Sequence, residues 1–340
     1  MTKEWGGWWT EAKLEILDKY LAAFGNASRK AGGTVYLDLF GGSVTHLRPD
    51  TGAEYLGSTS RAMRSLPPFS RLVFWELTRK AENLRTDLAA AFPDDTRYRV
   101  VGGDCNLTLQ EGLDQVADLQ WAPTFAFIDP KGIDVSWATL ETLSKWRRDR
   151  RGRKVELWIL LPEPAFERVL GLKGVRGNSS ATKLNNLYGT DDWIPIHQGR
   201  WTGKFSPEQT RAEFVNLYRW RIEKVLGYKT THALQLGNVN DQPVYTMVFA
   251  TDAAAGSRIM GDVYHHAKVH EIPLLRAHAV SARRRTRERA AGVLSLFEVG
   301  EVPVTSEGYR HTEPWEPPAR LDESVELDAE PPPEDDEDDS

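Results

Sequence analysis

The chain of 340 residues has a single cysteine, Cys105, and no apolar run approaching the roughly 18–20 residues that a membrane-spanning helix requires. One cysteine cannot form a disulfide within the chain and cannot build a zinc site alone. Residues 1–9 lack the pattern of a cleavable signal peptide. These absences argue against a disulfide-stapled secreted domain and a helical membrane protein, and we expect a protein of the cytosol.

The Gly-x-Gly-x-x-Gly motif of dinucleotide-binding domains is also missing. The first predicted strand is followed by Phe40-Gly41-Gly42-Ser43, and the next predicted helix begins only near Ser58. A nicotinamide dinucleotide needs a helix N-terminus for its pyrophosphate directly after that strand. The sequence therefore disfavours a nicotinamide cofactor, whereas S-adenosylmethionine, which carries no phosphate, remains compatible with it.

The formal net charge of −6 hides an uneven distribution. Thirteen acids and one arginine lie between Thr312 and Ser340, so this end carries −12 and the rest of the chain +6. The end is rich in proline and poor in apolar residues, and it cannot bury enough surface to offset its ordering entropy. We predict a disordered acidic tail at 301–340, after a mildly basic domain at 1–300.

Strand and helix patterns alternate along that domain. Apolar runs predict strands at 34–40, 71–76, 98–101, 124–128, 155–161, 231–236 and 244–251, with helices between them. This alternation is typical of an α/β fold with a mostly parallel sheet and helices on both faces. The stretch at about 163–205 is too long for a plain loop, and it predicts an insertion after the fifth strand.

Four acids lie at or just after the ends of four successive predicted strands: Asp38, Glu76, Asp104 and Asp129. Ligands of open α/β sheets bind at that edge, where strand order reverses. Glu76 suits the hydroxyls of a ribose, and Asp104 suits an exocyclic adenine amine. Acids in these places also cap the following helix, which is the ordinary alternative. Four at consecutive strand ends favour a nucleoside ligand.

The neighbours of these acids complete the predicted cofactor site. Phe40, Gly41 and Gly42 let the backbone approach a ligand closely, and Cys105 follows Asp104 directly. A small packing residue is the alternative interpretation of Cys105, because no paired base is evident. Lys13 falls in the first turn of a predicted helix, either as a solvated lysine or facing a ligand.

Two basic clusters, at 147–154 and 276–289, are either solvated surface or contacts to nucleic-acid phosphates. His266 and His270 are one helical turn apart, but no third ligand is evident nearby apart from Glu271, and we predict no metal site.

Taken in order, several segments resemble those of the three-Cys-motif partner proteins of bacteria. They span about residues 5–270 and comprise 9–17, 36–40, 57–58, 67–69, 73–76, 103–104, 127–132, 157–160 and 245–251. The resemblance implies a Rossmann-like S-adenosylmethionine methyltransferase fold and pairing with a three-cysteine protein that resembles radical S-adenosylmethionine enzymes. Gly41-Gly42-Ser43 departs from the family's usual Ala-Gly-Pro-Gly, and Lys131 replaces an aromatic residue.

The resemblance also implies the transfer site. Related methyltransferases accept hydrogen bonds from a target amine at an Asp-Pro loop, which here is Asp129-Pro130. Asp129 would orient the acceptor or act as general base, and Lys131 would suit an anionic group. The alternatives are a partner subunit that has lost transfer chemistry, and a nucleic-acid-binding component of a mobile or defence cassette.

Overall fold

The structure, a computed structural model, describes residues 8–48, 52–163, 166, 178–238, 240, 242–290 and 307–319. The strands are β1 (Val35–Asp38), β2 (Thr45–Leu47), β3 (Glu54–Leu56), β4 (Arg71–Glu76), β5 (Tyr98–Gly102), β6 (Thr124–Ile128), β7 (Glu156–Leu161), β8 (Thr230–Gly237) and β9 (Pro243–Thr251). The helices are α1 (Trp8–Ser28), α2 (Ser58–Arg64), α3 (Thr78–Ala91), α4 (Cys105–Asp114), α5 (Trp137–Trp146), α6 (Asn178–Tyr188), α7 (Ile194–Trp201), α8 (Pro207–Lys224), α9 (Ala254–His266) and α10 (Ile272–Ala290).

Seven strands form one sheet in the order β5-β4-β1-β6-β7-β9-β8. Neighbours from β5 to β7 are parallel, and β9 runs antiparallel to both β7 and β8. The chain moves outward from β1 to β5 and then returns to β6, so strand order reverses between β1 and β6. The predicted fold class is confirmed: this is a Rossmann-like methyltransferase sheet with helices on both faces.

Side chains that alternate along the strands build two cores, one on each face of the sheet. Val35 and Leu37 of β1 belong to the core covered by α4, α5, α6 and α8. Tyr36, between them, belongs to the core covered by α1, α2, α3 and α9. The central strands β1, β6 and β7 are buried at every position, as expected of parallel strands with helices on both sides.

The helix signals of the sequence have the expected physical basis. Ser206 and Gln209 form a reciprocal capping box at the start of α8, and Pro207 occupies its first position. Gly227, at φ +73°, closes the turn that follows this helix.

Two features differ from the sequence prediction, and the predicted insertion is described only in part. The hairpin β2–β3 was not predicted, because its strands are three residues long and none of their residues is buried. The insertion holds α6 and α7, while most of residues 164–177 lie outside the described residues. Residues 307–319 of the predicted disordered tail have no regular secondary structure but are hydrogen-bonded to the domain, whereas 301–306 and 320–340 lie outside the described residues.

Hydrogen bonds hold the 307–319 segment to α8 and β8. Trp315 exchanges backbone bonds of 2.9 Å with the buried amide of Asn216. The Tyr309 hydroxyl lies 3.0 Å from Nδ1 of His232. The buried guanidinium of Arg219 donates to the carbonyl of Thr312. The prediction failed here because the polar partners lie about 80–100 positions earlier in the chain.

No helix in the described parts of the chain is both long enough and apolar enough to cross a membrane.

Candidate functional site

The predicted site residues converge at the carboxyl edge of the sheet. Backbone bonds tie the loops there together: Leu39 N–H donates to Phe127 O, and Gly41 N–H donates to Trp75 O. A further bond from Gly103 N–H to Glu76 O joins the ends of β4 and β5. The loops after β1, β4, β5 and β6 therefore form one continuous rim, and the reversal of strand order lies at its middle.

Asp38 is completely buried beneath this rim. Its carboxylate accepts hydrogen bonds from Ser58 Oγ at 2.8 Å and from the Phe40 backbone N–H at 3.1 Å. Tyr36 donates a third bond at 3.3 Å. Burial, with a smaller contribution from nearby Asp129, raises the pKa of Asp38 to about 7. Asp38 thus joins the glycine loop to α2, and its predicted contact with a ligand stays a prediction.

Glu76 holds the glycine loop from the end of β4. One carboxylate oxygen accepts the Gly42 N–H at 3.2 Å, and the other accepts the Leu77 N–H at 2.8 Å. Gly42 has φ +59°, a conformation that favours glycine, and a Cβ there would meet nothing closer than 3.7 Å. Gly41 is required by packing instead, because its Cβ would lie 3.1 Å from Leu84. The positive φ, rather than crowding, is therefore what favours glycine at position 42.

Asp104 caps α4, which is the ordinary alternative that the sequence left open. Its Oδ1 accepts from the backbone N–H of Asn106 at 2.9 Å and from the Asn106 side chain at 3.0 Å. Asp104 remains exposed, and both of these bonds use Oδ1. A carboxylate has about four acceptor positions, so this cap leaves Asp104 able to accept from a ligand.

Asn106 is a structural residue of the site that sequence reasoning missed. Its Nδ2 donates to Asp134 O at 2.7 Å, while its Oδ1 accepts from Ser136 N–H at 2.8 Å and from the Thr139 hydroxyl at 2.7 Å. These bonds fasten the loop after β5 to the loop after β6. The only local signal is an asparagine two residues after an N-cap aspartate.

The thiol of Cys105 is buried at the start of α4, and burial raises its pKa to about 12. A thiol in this state stays protonated near neutral pH and is a poor nucleophile. The packing interpretation of Cys105 is therefore supported. Its backbone N–H, in the first turn of α4, is one of the donors that a helix leaves without an intrahelical partner.

Asp129 forms an ion pair with Lys13 of α1. The side chain of Lys13 is 8% exposed and that of Asp129 is 26% exposed. The lysine nitrogen also lies 6.0 Å from the ring centre of Phe127 and 5.8 Å from that of Tyr245. Of the two alternatives that the sequence leaves open for Lys13, the solvated one does not hold: α1 carries this side chain into the rim, where it pairs with the predicted transfer residue.

The rest of the Asp-Pro-Lys segment divides between core and surface. Pro130 is buried, and Lys131 is exposed. Tyr245 anchors the start of α1 by donating from its hydroxyl to the Trp9 carbonyl at 2.6 Å. This contact positions Lys13, one turn later, above Asp129.

A fifth acid, Glu163, follows β7 and was not singled out by sequence. It is completely buried and accepts 2.8 and 2.9 Å bonds from the Gln235 amide and a 2.5 Å bond from the Thr246 hydroxyl. Arg211 approaches it at 3.7 Å. Glu163 fixes β8 and β9 to the end of β7, and its only signal in the sequence was a proline–acid pair after a strand.

The histidine pair does not make a metal centre with its neighbours. The rings of His266 and His270 are 4.8 Å apart, and Glu271 pairs with both Lys19 and His266. Among the described residues, no group of three or more His, Cys, Asp or Glu side chains is arranged to hold a metal ion.

The strand order and the rim define the class of fold as methyltransferase-like. No family profile matches the sequence, and no curated protein matches it. Among solved structures, protein LPL1258 of Legionella pneumophila is 12% identical, with a TM-score of 0.38 over 72% of this chain and 87% of that one. A candidate caffeoyl-CoA O-methyltransferase from Staphylococcus aureus is 10% identical, with a TM-score of 0.34 over 68% and 82%. A conserved hypothetical protein from Streptococcus pyogenes is 18% identical, with a TM-score of 0.25 over 41% and 76%.

These are distant likenesses of fold. The assignment of the fold class rests on the strand order, with its reversed β9, rather than on them. Membership in the three-Cys-motif partner family stays a prediction from the sequence.

Proposed function

We propose that the carboxyl edge binds S-adenosylmethionine and that the chain is an S-adenosylmethionine-dependent methyltransferase. The observation that carries this proposal is the placement of Glu76 and Asp104 on adjacent strand ends, beside the glycine loop at the reversal of strand order. Carboxylates on two neighbouring strands suit a nucleoside, which presents ribose hydroxyls and an exocyclic amine as donors.

The residues present fit this cofactor. Glu76 accepts from the ribose hydroxyls while its bond to Gly42 fixes the loop. Asp104 accepts from the adenine amine, and the backbone at Cys105 offers a donor to the ring. The glycine loop from Phe40 to Gly42 lies beside the amino-acid end, and Asp38 supports it from beneath. The bound cofactor supplies an electrophilic methyl group.

Asp129 orients the acceptor in this proposal. Its carboxylate is partly exposed, so an acceptor amine or hydroxyl can reach it from solvent. The Lys13 ammonium donates to Asp129, so this carboxylate already accepts a hydrogen bond from a nitrogen. Lys131, exposed beside it, favours an acceptor that carries an anionic group. The chain holds acceptor and cofactor in line, and such positioning supplies several kcal/mol, up to roughly 7–11 in well-oriented cases.

The Lys13–Asp129 pair also favours a second candidate function, a cofactor-binding partner subunit without transfer chemistry. An acceptor must compete with the Lys13 ammonium for the Asp129 carboxylate. In this candidate the chain works with the three-cysteine protein implied by its resemblance. The two candidates share cofactor binding and differ only in transfer.

Calorimetric titration tests cofactor binding, which both candidate functions require. S-adenosylmethionine and S-adenosylhomocysteine should bind the full chain, and Glu76→Ala should weaken binding by about 1–3 kcal/mol, roughly 5- to 150-fold in Kd. Asp87→Ala, an exposed acid on the neighbouring helix α3, is the matched control and should bind like wild type. Absence of heat and of a thermal shift with both ligands at millimolar concentration would remove both candidates.

Transfer of a radiolabelled methyl group distinguishes the methyltransferase from the partner subunit. A cell extract supplies the acceptors, and Asp129→Asn should abolish labelling without changing cofactor affinity. Asp134→Asn, in the same loop, is the control. Labelling that is absent in wild type despite cofactor binding favours the partner subunit, and labelling that persists in Asp129→Asn contradicts the role assigned to Asp129.

A further inference from the structure

The opposite, amino edge of the sheet contains a cavity of about 800 Å³. Its walls come from the end of α1, the residues that precede β6, the loop 147–153, the first residue of β7 and the start of α9. The cavity therefore lies across the sheet from the rim that holds Glu76 and Asp104. Nothing in the proposed methyltransferase site uses it.

Among the described residues that line this cavity, six side chains are cationic and two are carboxylates. The cations are Lys30, Arg147, Arg148, Arg150, Arg151 and Arg153.

Both carboxylates are already engaged. Asp149 accepts from Arg153 at 2.9 and 3.0 Å and from the backbone of Arg151 at 3.0 Å, and the Arg153 bonds hold the pKa of Asp149 well below its usual range. Glu156 accepts from the hydroxyls of Tyr20 at 2.6 Å and Thr251 at 2.7 Å. Burial raises the pKa of Glu156, so its negative charge is disfavoured in this place. The cavity therefore has an excess of positive charge.

Arg147 is the residue that points to a ligand. Its side chain is only 5% exposed, yet within the described residues Nε and Nη2 donate no hydrogen bond. Nη1 donates to Lys154 O at 3.3 Å, and Nη2 stands 3.6 Å from Asp149. The negative charge of Asp252 also attracts Arg147. The Asp252 carboxylate, however, accepts hydrogen bonds from the backbone of Lys154 at 2.9 Å and from that of Lys229 at 3.1 Å. Buried donors without partners are costly, and an anion would satisfy them.

Two further features of the cavity suit a nucleotide. Because β9 runs antiparallel to its neighbours, α9 begins at the amino edge, and Ala255 and Gly256 of its first turn line the cavity. This helix has no side-chain cap, so its positive end favours an anion. Trp121, 45% exposed, also lines the cavity, and its indole N–H is bonded to Asp118 O at 3.0 Å. Its ring offers a flat surface on which a base can stack.

We propose that this cavity binds the phosphate group of a nucleotide, with Arg147 as the buried phosphate contact and Trp121 as the surface for the base. A free mononucleotide and a phosphodiester of a single RNA strand share this chemistry. Arg148, Arg150 and Arg151, at the mouth, attract either one.

The test compares AMP, inorganic phosphate and a ten-residue oligouridylate by calorimetry on the full chain in 50 mM salt. Wild type should bind AMP or the oligomer, and Arg147→Gln should weaken that binding at least tenfold. Arg71→Gln is the matched control, an exposed arginine at the amino end of β4 that does not line the cavity, and it should change affinity less than twofold. Trp121→Ser should weaken AMP and the oligomer but not phosphate.

Binding of AMP with the same dependence on Arg147 supports a free nucleotide, and binding of the oligomer alone supports an RNA strand. If Arg147→Gln does not fold, the double variant Arg150→Gln/Arg151→Gln, on two exposed side chains, should weaken binding about three- to tenfold. The proposal is overturned if no probe binds at millimolar concentration, if Arg71→Gln weakens binding as much as Arg147→Gln, or if phosphate binds as tightly as AMP. S-adenosylmethionine affinity should be the same in all of these variants, which separates this proposal from the one at the other edge.

Discussion

The two edges of the central sheet carry opposite chemistry. At the carboxyl edge the accessible carboxylates are Asp104, which is exposed, and Glu76 and Asp129, which are half-buried, and the buried Lys13 is already paired with Asp129. At the amino edge the described lining of the cavity has six cations, and the most buried of them, Arg147, has two nitrogens, Nε and Nη2, that donate no hydrogen bond to a described residue. One edge suits a ligand rich in hydroxyl, amine or sulfonium groups, and the other suits an anion.

Helix direction explains much of this difference. In parallel β–α units every helix begins at the carboxyl edge and ends at the amino edge, so acids are favoured at the first and cations at the second. Asp104 caps the start of α4, and Arg147 follows the end of α5. The exception is α9, which begins at the amino edge because β9 is reversed. That reversal adds a helix N-terminus to an edge already rich in arginine.

The largest expected effect is on stability and comes from the segment 307–319. A truncation that removes this segment would destabilise the domain, so it could not be used to compare ligand binding at the two edges. Deleting 307–340 should lower stability by about 2–4 kcal/mol, because the buried groups of Asn216, Arg219 and His232 lose hydrogen-bond partners. Deleting 320–340 should leave the melting temperature within about two degrees of that of the full chain. Urea unfolding of both truncations checks this, and equal stabilities would show that the segment contributes nothing.

A smaller effect is expected from the ion pair at the carboxyl edge. Asp129→Ala should destabilise by about 1–3 kcal/mol, because it leaves the ammonium of Lys13 buried without its partner. Lys13→Met should cost less, about 1 kcal/mol or below, since Asp129 is partly exposed and water can solvate it. The order of the two variants in chemical denaturation is the measurement. The reverse order would mean that Asp129, not Lys13, depends on the pair.

Asp38 should give the carboxyl edge a pH dependence. Its pKa is about 7 in the folded chain against 3.8 for the ordinary group, so the folded state binds the proton more tightly between these values. Wild type should therefore lose stability relative to Asp38→Asn as the pH rises from about 4 to 7, with no further change above that. Ser58→Ala removes a hydrogen bond that lowers this pKa and should extend the window upward. Parallel stability profiles of wild type and Asp38→Asn from pH 4.5 to 8 would contradict this assignment.

The smallest expected effect is that of the acidic end of the chain on ligand affinity at the amino edge. Residues 320–340 hold eleven acids and one arginine, and they follow a segment that is fastened to the domain. A tethered polyanion competes with a phosphate ligand for the arginines, and salt screens that competition. Deleting 320–340 should strengthen oligouridylate binding at 50 mM salt, and the gain should vanish near 0.5 M. A truncated chain that binds no better at low salt would assign the tail another role.

Local signals in the sequence predicted the main strands, α8 and the packing of Cys105, because long apolar runs and capping patterns act over a few residues. They also placed the four acids on one edge, since strand ends in a parallel sheet converge. They could not predict the pair between Lys13 and Asp129, which are 116 positions apart. The cavity around Arg147 could not be predicted for the same reason: its walls come from five regions, from α1 to α9, and only the run of arginines was visible in the sequence.

A double titration tests the separation of the two edges most directly. Glu76→Ala, Arg147→Gln and wild type are each titrated with S-adenosylmethionine and, separately, with AMP and oligouridylate. Glu76→Ala should lose affinity for S-adenosylmethionine alone, by roughly 5- to 150-fold. Arg147→Gln should lose affinity for the nucleotide or the strand alone, by at least about tenfold. If either variant weakens both classes of ligand equally, the two edges do not hold separate sites, and the division of the sheet into two binding edges is wrong.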